Sequence, residues 1–292
     1  MSKAFCSRLA QAAHGVIAGT GVRGDIYVFL PVDKKRWGER EFNSSWATPE
    51  ELDAIRRARK AGVTVRLYDP RADGAAGRIL VHRAPSPAAG AVDGLEQLVR
   101  ALARQAWEVD DSGAPRLAIC TQGTRDRCCA KWGFAVAREA MKLHGAGQLP
   151  MQPIECSHLG GDRFAATGIV FPSGGMYGHL DRLPVAELAA AEAEGRILQN
   201  HYRGRVFDPP LVQVVRAGLA RDGFEVTTVS GLSIPDPAPA EGTITAVAGD
   251  RRFEVVLSRR EFRFFGDCEA VAKDRPSREM RLVYESARPI EG

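Results

Sequence analysis

Residues 116–156 read RLAICTQGTRDRCCAKWGFAVAREAMKLHGAGQLPMQPIEC, and this stretch decides the predicted fold. Its apolar beginning, residues 116–120, predicts a strand, and its end, residues 151–156, predicts a second strand. Between them, residues 130–144 predict a helix, because apolar side chains recur along one face: Trp132, Val136, Ala140 and Leu143. A strand, a helix and a strand in this order are typical of an α/β sheet.

The same order continues downstream and is repeated upstream. After the opening stretch we predict strands at 165–171 and 176–180 and a helix at 185–194. The corresponding upstream elements are strands at 25–30, 63–68 and 78–82, and helices between Thr48 and Gly62 and at 92–107. The first upstream helix begins with Thr48 as its N-cap, and Glu51 completes a capping box.

The repeated order predicts an α/β fold with two thioredoxin-like units in tandem and a small α+β extension at the C-terminus. We place the N-terminal unit at residues 1–112, the second unit at 113–195 and the extension at 196–292. The extension has its own predicted elements, which are a helix at 209–221 and strands at 243–248, 252–258 and 279–284.

Charge and hydropathy exclude two classes of partner. The net charge is only +4, and no basic stripe interleaved with aromatic residues suggests nucleic-acid binding. No apolar run reaches the roughly eighteen residues that a membrane helix needs. The mildly apolar stretch from Leu9 to Ala18 is interrupted by His14 and Gly15, and no cleavage site follows it. We therefore expect a cytoplasmic protein without a signal peptide.

Four of the six cysteines fall within 37 residues, from Cys120 to Cys156. Such clustering in a reducing compartment indicates metal or redox chemistry rather than structural disulfides. Cys120 ends a predicted strand, Cys129 begins the next helix, and His158 and Asp162 follow the next strand. Loops at the carboxyl ends of neighbouring strands share one crevice, and these side-chain types bind metals once deprotonated. The pattern predicts a metal or redox site there.

The surroundings of this site would favour thiolates. The start of the following helix, Arg125 and Arg127 should each lower a nearby thiol pKa. The remaining cysteines are interpreted more simply: Cys128 as a packed thiol, and Cys6 and Cys268 as small hydrophobic or incidental residues.

Two motifs carry a family resemblance. The pattern C-T-x-G-x-R-D-x-C-C at residues 120–129, followed by S-H-L-G-G-x-R-F-A at 157–165, resembles the sucrase/ferredoxin-like family. The resemblance implies a thioredoxin-like ferredoxin domain at 113–195, with a 2Fe–2S cluster held by two cysteines and two histidines. It assigns Cys120, Cys129 and His158 as ligands, while the position of the second histidine is occupied here by Asp162.

This departure leaves three interpretations of the fourth ligand. Asp162 could bind the cluster directly, although a carboxylate is a harder ligand than imidazole. Cys156 could replace it, because Cys156 and His158 would point to the same face of an extended strand, about 7 Å apart. Alternatively, the site holds no 2Fe–2S cluster.

The corresponding functions belong to three classes. The first is an electron carrier that exchanges single electrons with a redox protein partner, rather than an enzyme with its own substrate. The second is a zinc or mononuclear metal protein using the same residues. The third is a cysteine-based redox protein without a cluster, against which the absence of C-x-x-C after the first strand argues.

Overall fold

The computed structural model describes residues 4–13, 16–40, 42–72, 79–83, 89–92, 115–234 and 241–290. A nine-stranded sheet forms the centre of this part of the chain. Its strands are β1 Ile26–Pro31, β2 Val63–Tyr68, β3 Ile79–Arg83, β4 Ala89–Val92, β5 Arg116–Cys120, β6 Gln152–Cys156, β7 Gly168–Phe171, β8 Gly175–Tyr177 and β9 Tyr202–Arg205. The helix predicted at 92–107 lies, apart from Val92, outside the described residues.

Both predicted units contribute to this one continuous sheet. Its strand order is β4-β3-β1-β2-β6-β5-β7-β8-β9. In each unit the first two strands pair in parallel, and the third and fourth strands add antiparallel beside the first. The units meet where Tyr68 of β2 pairs antiparallel with Cys156 of β6. The α/β class is therefore confirmed, and the strand order is the same in both units.

Six α-helices accompany the sheets in the described residues: α1 Cys6–Ala12, α2 Pro49–Lys60, α3 Phe134–Gly145, α4 Val185–Ala193, α5 Pro210–Arg221 and α6 Cys268–Ala272. The capping box of α2 forms as predicted, with Thr48 Oγ1 accepting from the Glu51 backbone N–H and Glu51 accepting from that of Thr48. None of the helices in the described part of the chain is long and apolar enough to cross a membrane.

Alternate side chains of β5 point to opposite faces of the sheet. Leu117 and Ile119 pack in the core that contains the buried side chains of α3 and α4. Ala118 and Cys120 belong to the core on the other face, because successive side chains of a strand point to opposite faces. The thiol of Cys120 is thereby placed opposite the helices that follow it in sequence.

A second, antiparallel sheet follows the large one. Its strands are β10 Leu232–Ser233, β11 Gly242–Ala248, β12 Arg251–Phe264 and β13 Ser277–Ile290. Helix α5 packs on β13, where Gly218 lies against the Tyr284 ring so closely that a Cβ would come within 2.1 Å of it. The hairpin of β12 and β13 carries α6 at its tip.

Several elements differ from the sequence predictions. α1, α6, β4 and β10 were not predicted, and Val92, where the helix predicted at 92–107 begins, is the last residue of β4. The strand predicted at 176–180 ends at Tyr177. β9 was not predicted, because Tyr202–Arg205 alternates apolar and charged residues over only four positions. β12 and β13 extend well beyond the predicted 252–258 and 279–284, because their outer residues pair with each other while remaining largely exposed. Backbone hydrogen bonds rather than burial stabilise the outer ends of these strands. Hydrophobic periodicity in the sequence does not reveal backbone pairing of this kind.

Candidate metal centre

Three predicted site residues converge at the carboxyl ends of β5 and β6. Cys120 is the last residue of β5, Cys129 begins the turn before α3, and His158 follows β6 by two residues. Their ligand atoms all lie within 4.8 Å of one another. Both thiols are fully buried, whereas the His158 side chain is 21% exposed. The arrangement could hold a metal ion, with the imidazole nearest to solvent.

Asp162 lies against two of these residues. Its Oδ1 is 3.4 Å from Cys129 Sγ and 3.3 Å from His158 Nδ1, while Oδ2 is 3.8 Å from an Arg125 nitrogen. His158 Nδ1 is in turn 4.0 Å from Cys120 Sγ. The carboxylate is buried, so its charge depends on these neighbours.

A π-helical turn, Cys129–Gly133, separates the site from α3, whereas the sequence predicts one continuous helix from residue 130. Gly133 explains the close approach of this turn to β5. A Cβ added at Gly133 would lie 1.9 Å from the Cys120 carbonyl oxygen, so any other residue would push the turn away. A π-turn at a functional site is a recurrent device for directing side chains.

Hydrogen bonds hold the loop that carries His158. The Gln122 side chain accepts from the His158 backbone N–H at 2.8 Å and donates to the Gly38 carbonyl at 2.8 Å. Gly160 and Gly161 follow with φ of +93° and +80°, a left-handed conformation that glycine adopts without strain. The loop thus turns back on itself and presents Asp162 to the thiols.

Arg203 of β9 ties this loop to the N-terminal segment. Its guanidinium donates to the Gly160 carbonyl at 2.8 Å, the Thr20 carbonyl at 2.6 Å and Thr20 Oγ1 at 3.1 Å. The side chain is almost wholly buried, and burial lowers the pKa of Arg203 to about 9. The strand that the sequence did not predict therefore supplies one of the supports of the site.

The protonation states of the four side chains are coupled. The hydrogen bond with Cys129 and the neighbouring His158 lower the pKa of Cys120 well below its usual value, against the effect of burial. The same hydrogen bond and burial raise the pKa of Cys129. Burial alone would lower the pKa of His158, but Cys120 and Asp162 raise it overall. Burial raises the pKa of Asp162. These directions favour ionisation of Cys120 over Cys129, and a bound metal would displace the protons that remain on its ligands.

The alternative fourth ligand, Cys156, occupies a different position. It is the register partner of Cys120 at the ends of β6 and β5, and it is buried. It does not belong to the group formed by Cys120, Cys129 and His158.

Cys128 points away from this group and meets Cys6 and Cys268, which form a second buried group together with Asp126. Arg127 also faces that group rather than Cys120, through a hydrogen bond with Cys268. The sequence predicts only packed or incidental thiols at these three positions. Cys128 is 122 residues from Cys6 and 140 residues from Cys268, and no sequence motif spans such distances.

The comparisons with known proteins are consistent with the geometry. Neither a curated protein nor a solved structure significantly matches the chain. A family model described as Sucrase/ferredoxin-like matches residues 17–204, which is more than half of the chain and includes all four residues of the candidate centre. The chain therefore belongs to the sucrase/ferredoxin-like family.

Proposed function

We propose that the protein is an electron carrier that binds a 2Fe–2S cluster through Cys120, Cys129, His158 and Asp162. The observation that carries the proposal is the convergence of two thiols and an imidazole to within 4.8 Å at the carboxyl ends of β5 and β6. The family match over the same residues supports it.

The donor set fits such a cluster in kind. Iron–sulfur clusters take thiolates, and imidazoles replace two of them in Rieske centres. The four donors form two pairs, a thiol pair of Cys120 and Cys129 and a pair of His158 Nδ1 and Asp162 Oδ1 that lie 3.3 Å apart. Each pair could serve one of the two irons.

When bound, the cluster would accept and release one electron at a time. The residues around it would control that exchange. Burial of both thiols excludes water, and Arg125 beside Asp162 offsets part of the negative charge. His158 turns Nδ1 toward the other donors, which leaves Nε2 as the nitrogen that would carry the ring proton. Its partial exposure also makes this side of the site the natural contact for a redox protein partner.

The strand order supports the finer fold assignment within this proposal. We infer that residues 113–195 form a thioredoxin-like ferredoxin domain, preceded by a second thioredoxin-like unit. β5, β6, β7 and β8 repeat the order and directions of β1 to β4 around one helix between the two parallel strands. The six cysteines, all of which lie in the described part of the chain, form no disulfide bond with one another, which suits a reducing cytoplasmic environment.

One observation favours a second candidate, a single zinc ion in the same place. The donor separations of 3.3, 3.4 and 4.0 Å are close to the edge of a tetrahedron around one ion, about 3.8 Å for sulfur ligands of zinc. A structural or hydrolytic zinc site would then replace the electron carrier.

The test is a visible absorption spectrum with iron and sulfide analysis on anaerobically purified protein. We expect a brown protein with about two irons and two sulfides per chain. Adjacent cysteines provide a matched pair of variants. Cys129→Ser should abolish the colour, whereas Cys128→Ser should leave it largely intact. A colourless protein that stays colourless after cluster reconstitution would contradict the proposal, and stoichiometric zinc lost in Cys129→Ser would establish the second candidate.

A further inference from the structure

Three cysteines from distant parts of the chain meet in one buried place. Cys6 begins α1, Cys128 precedes the π-turn, and Cys268 begins α6 at the tip of the β12–β13 hairpin. The sulfur atoms form a triangle with sides of 3.6 Å from Cys6 to Cys128, 3.3 Å from Cys128 to Cys268 and 3.7 Å from Cys268 to Cys6. All three are buried.

The buried carboxylate of Asp126 fixes the positions of two of the three cysteines. Asp126 Oδ1 accepts from the Cys128 backbone N–H at 2.7 Å, and Oδ2 accepts from that of Cys268 at 2.7 Å. Its oxygen also lies within 4.8 Å of all three sulfur atoms. Each carboxylate oxygen can accept a further bond, so the geometry leaves Asp126 able to bind a metal as well.

The spacing suits one metal ion better than the alternatives. A zinc ion about 2.3 Å from each sulfur would hold the sulfur atoms about 3.8 Å apart, and the sides of this triangle are 3.6, 3.3 and 3.7 Å. A disulfide would pair two thiols and leave the third unused. Soft thiolates exclude magnesium and calcium as occupants. Ser7 Oγ donates to Cys128 Sγ at 3.3 Å, and Arg127 hydrogen-bonds Cys268, so donors that stabilise thiolates are in place.

We propose that Cys6, Cys128 and Cys268 bind one structural zinc ion, with a carboxylate oxygen of Asp126 as the fourth ligand. This site is separate from that of Cys120 and Cys129 and does not depend on the function proposed above. Four protein ligands and full burial are typical of structural rather than catalytic zinc. The ion ties α1, the π-turn and the C-terminal hairpin together.

The test measures zinc and iron per chain in full-length protein by mass spectrometry of the elements. We expect Cys268→Ser to lose one zinc per chain and to keep its iron and visible absorption. Cys129→Ser should do the reverse, losing iron and keeping this zinc. Cys156→Ser is the matched control, because it removes a buried thiol outside the group and should keep the zinc.

A cobalt experiment covers the case in which Cys268→Ser fails to fold. Cobalt(II), loaded into the iron-free Cys129→Ser variant after a chelator has removed its zinc, should show thiolate-to-cobalt charge transfer from three sulfur ligands. Adding Cys6→Ser should then lower that absorption by about a third. Far-UV circular dichroism checks that each variant is folded.

Three results would overturn the proposal. The first is a Cys268→Ser variant, folded by circular dichroism, with the same zinc content as the wild type. The second is copper or iron in this site instead of zinc. The third is a disulfide between two of the three cysteines in unreduced protein. A protein that lacks iron altogether would contradict the electron-carrier function but leave the zinc difference between wild type and Cys268→Ser intact.

Discussion

Asp162 sets the charge of the candidate centre, since it occupies the position where the resemblance implies a second histidine. A carboxylate returns one negative charge that a neutral imidazole would not. We predict that Asp162→His raises the reduction potential of the bound cluster and increases its stability. Spectroelectrochemical titration of wild type and variant measures the first effect, and the rate of bleaching in air measures the second.

Glu192→Gln is the control for that experiment. Glu192 is a partly buried carboxylate that accepts from the Tyr177 hydroxyl, and it belongs to α4, whose buried side chains pack on the opposite face of the sheet. Its removal should leave the potential nearly unchanged. An Asp162→Ala variant with wild-type spectrum and stability would show that Asp162 is not a ligand, and Cys156 would become the candidate.

Among the elements, the π-turn before α3 lies so close to β5 that it leaves no room for a side chain at Gly133. We predict that Gly133→Ala destabilises the fold by about 1–3 kcal/mol, the usual cost of overpacking. It should also lower the iron content, because the new Cβ would displace the turn from the Cys120 carbonyl oxygen, 1.9 Å away. Urea denaturation and iron analysis measure the two effects.

Gly145→Ala is the matched control for Gly133→Ala. It ends α3, and a Cβ there would meet nothing within 4 Å. Gly145→Ala should therefore be neutral or stabilising by up to about 1 kcal/mol, as alanine is the better helix former. Equal losses of stability in both variants would show that the close approach at Gly133 is not the cause.

At the scale of the whole molecule, one buried histidine should make stability depend on pH. Burial lowers the pKa of His179 to about 4, with Asp181 opposing and His201 and Arg203 reinforcing the shift. The unfolded chain binds a proton near pH 6.5, before the folded chain does, so stability is lost as pH falls from there toward 4. The loss amounts to about 2 kcal/mol at pH 5.

We predict that His179→Asn removes this loss. Asparagine tolerates the left-handed backbone at this position, where φ is 54°, and does not titrate. Urea denaturation at pH 7.5 and pH 5 in the iron-free Cys129→Ser background compares the two proteins without interference from an acid-labile cluster. Parallel losses with and without His179 would assign the acid sensitivity to other groups.

Local sequence predicted that Cys120, Cys129 and His158 lie close together, for a topological reason. Cys120, Cys129 and His158 follow consecutive strands, and parallel pairing of β5 with β6 necessarily brings those strand ends together. Arg203 and the second cysteine group escaped prediction, although Asp126 and Cys128 lie in the 120–129 motif, because their partners are far away in the sequence. Their contacts cross 43 residues from Arg203 to Gly160 and 262 residues from Cys6 to Cys268, and only the assembled sheets bring them together.

The position of Cys268 has a consequence for how the chain matures during synthesis. Cys6 and Cys128 leave the ribosome well before the hairpin that brings Cys268 to them, a further 140 residues along the chain. Until then only two of the three cysteines are present to meet one another. The three cysteines can therefore come together only late in synthesis. A chain truncated before the hairpin would keep the residues of the Cys120 site, but it could not join its N-terminal and C-terminal parts through this cysteine group.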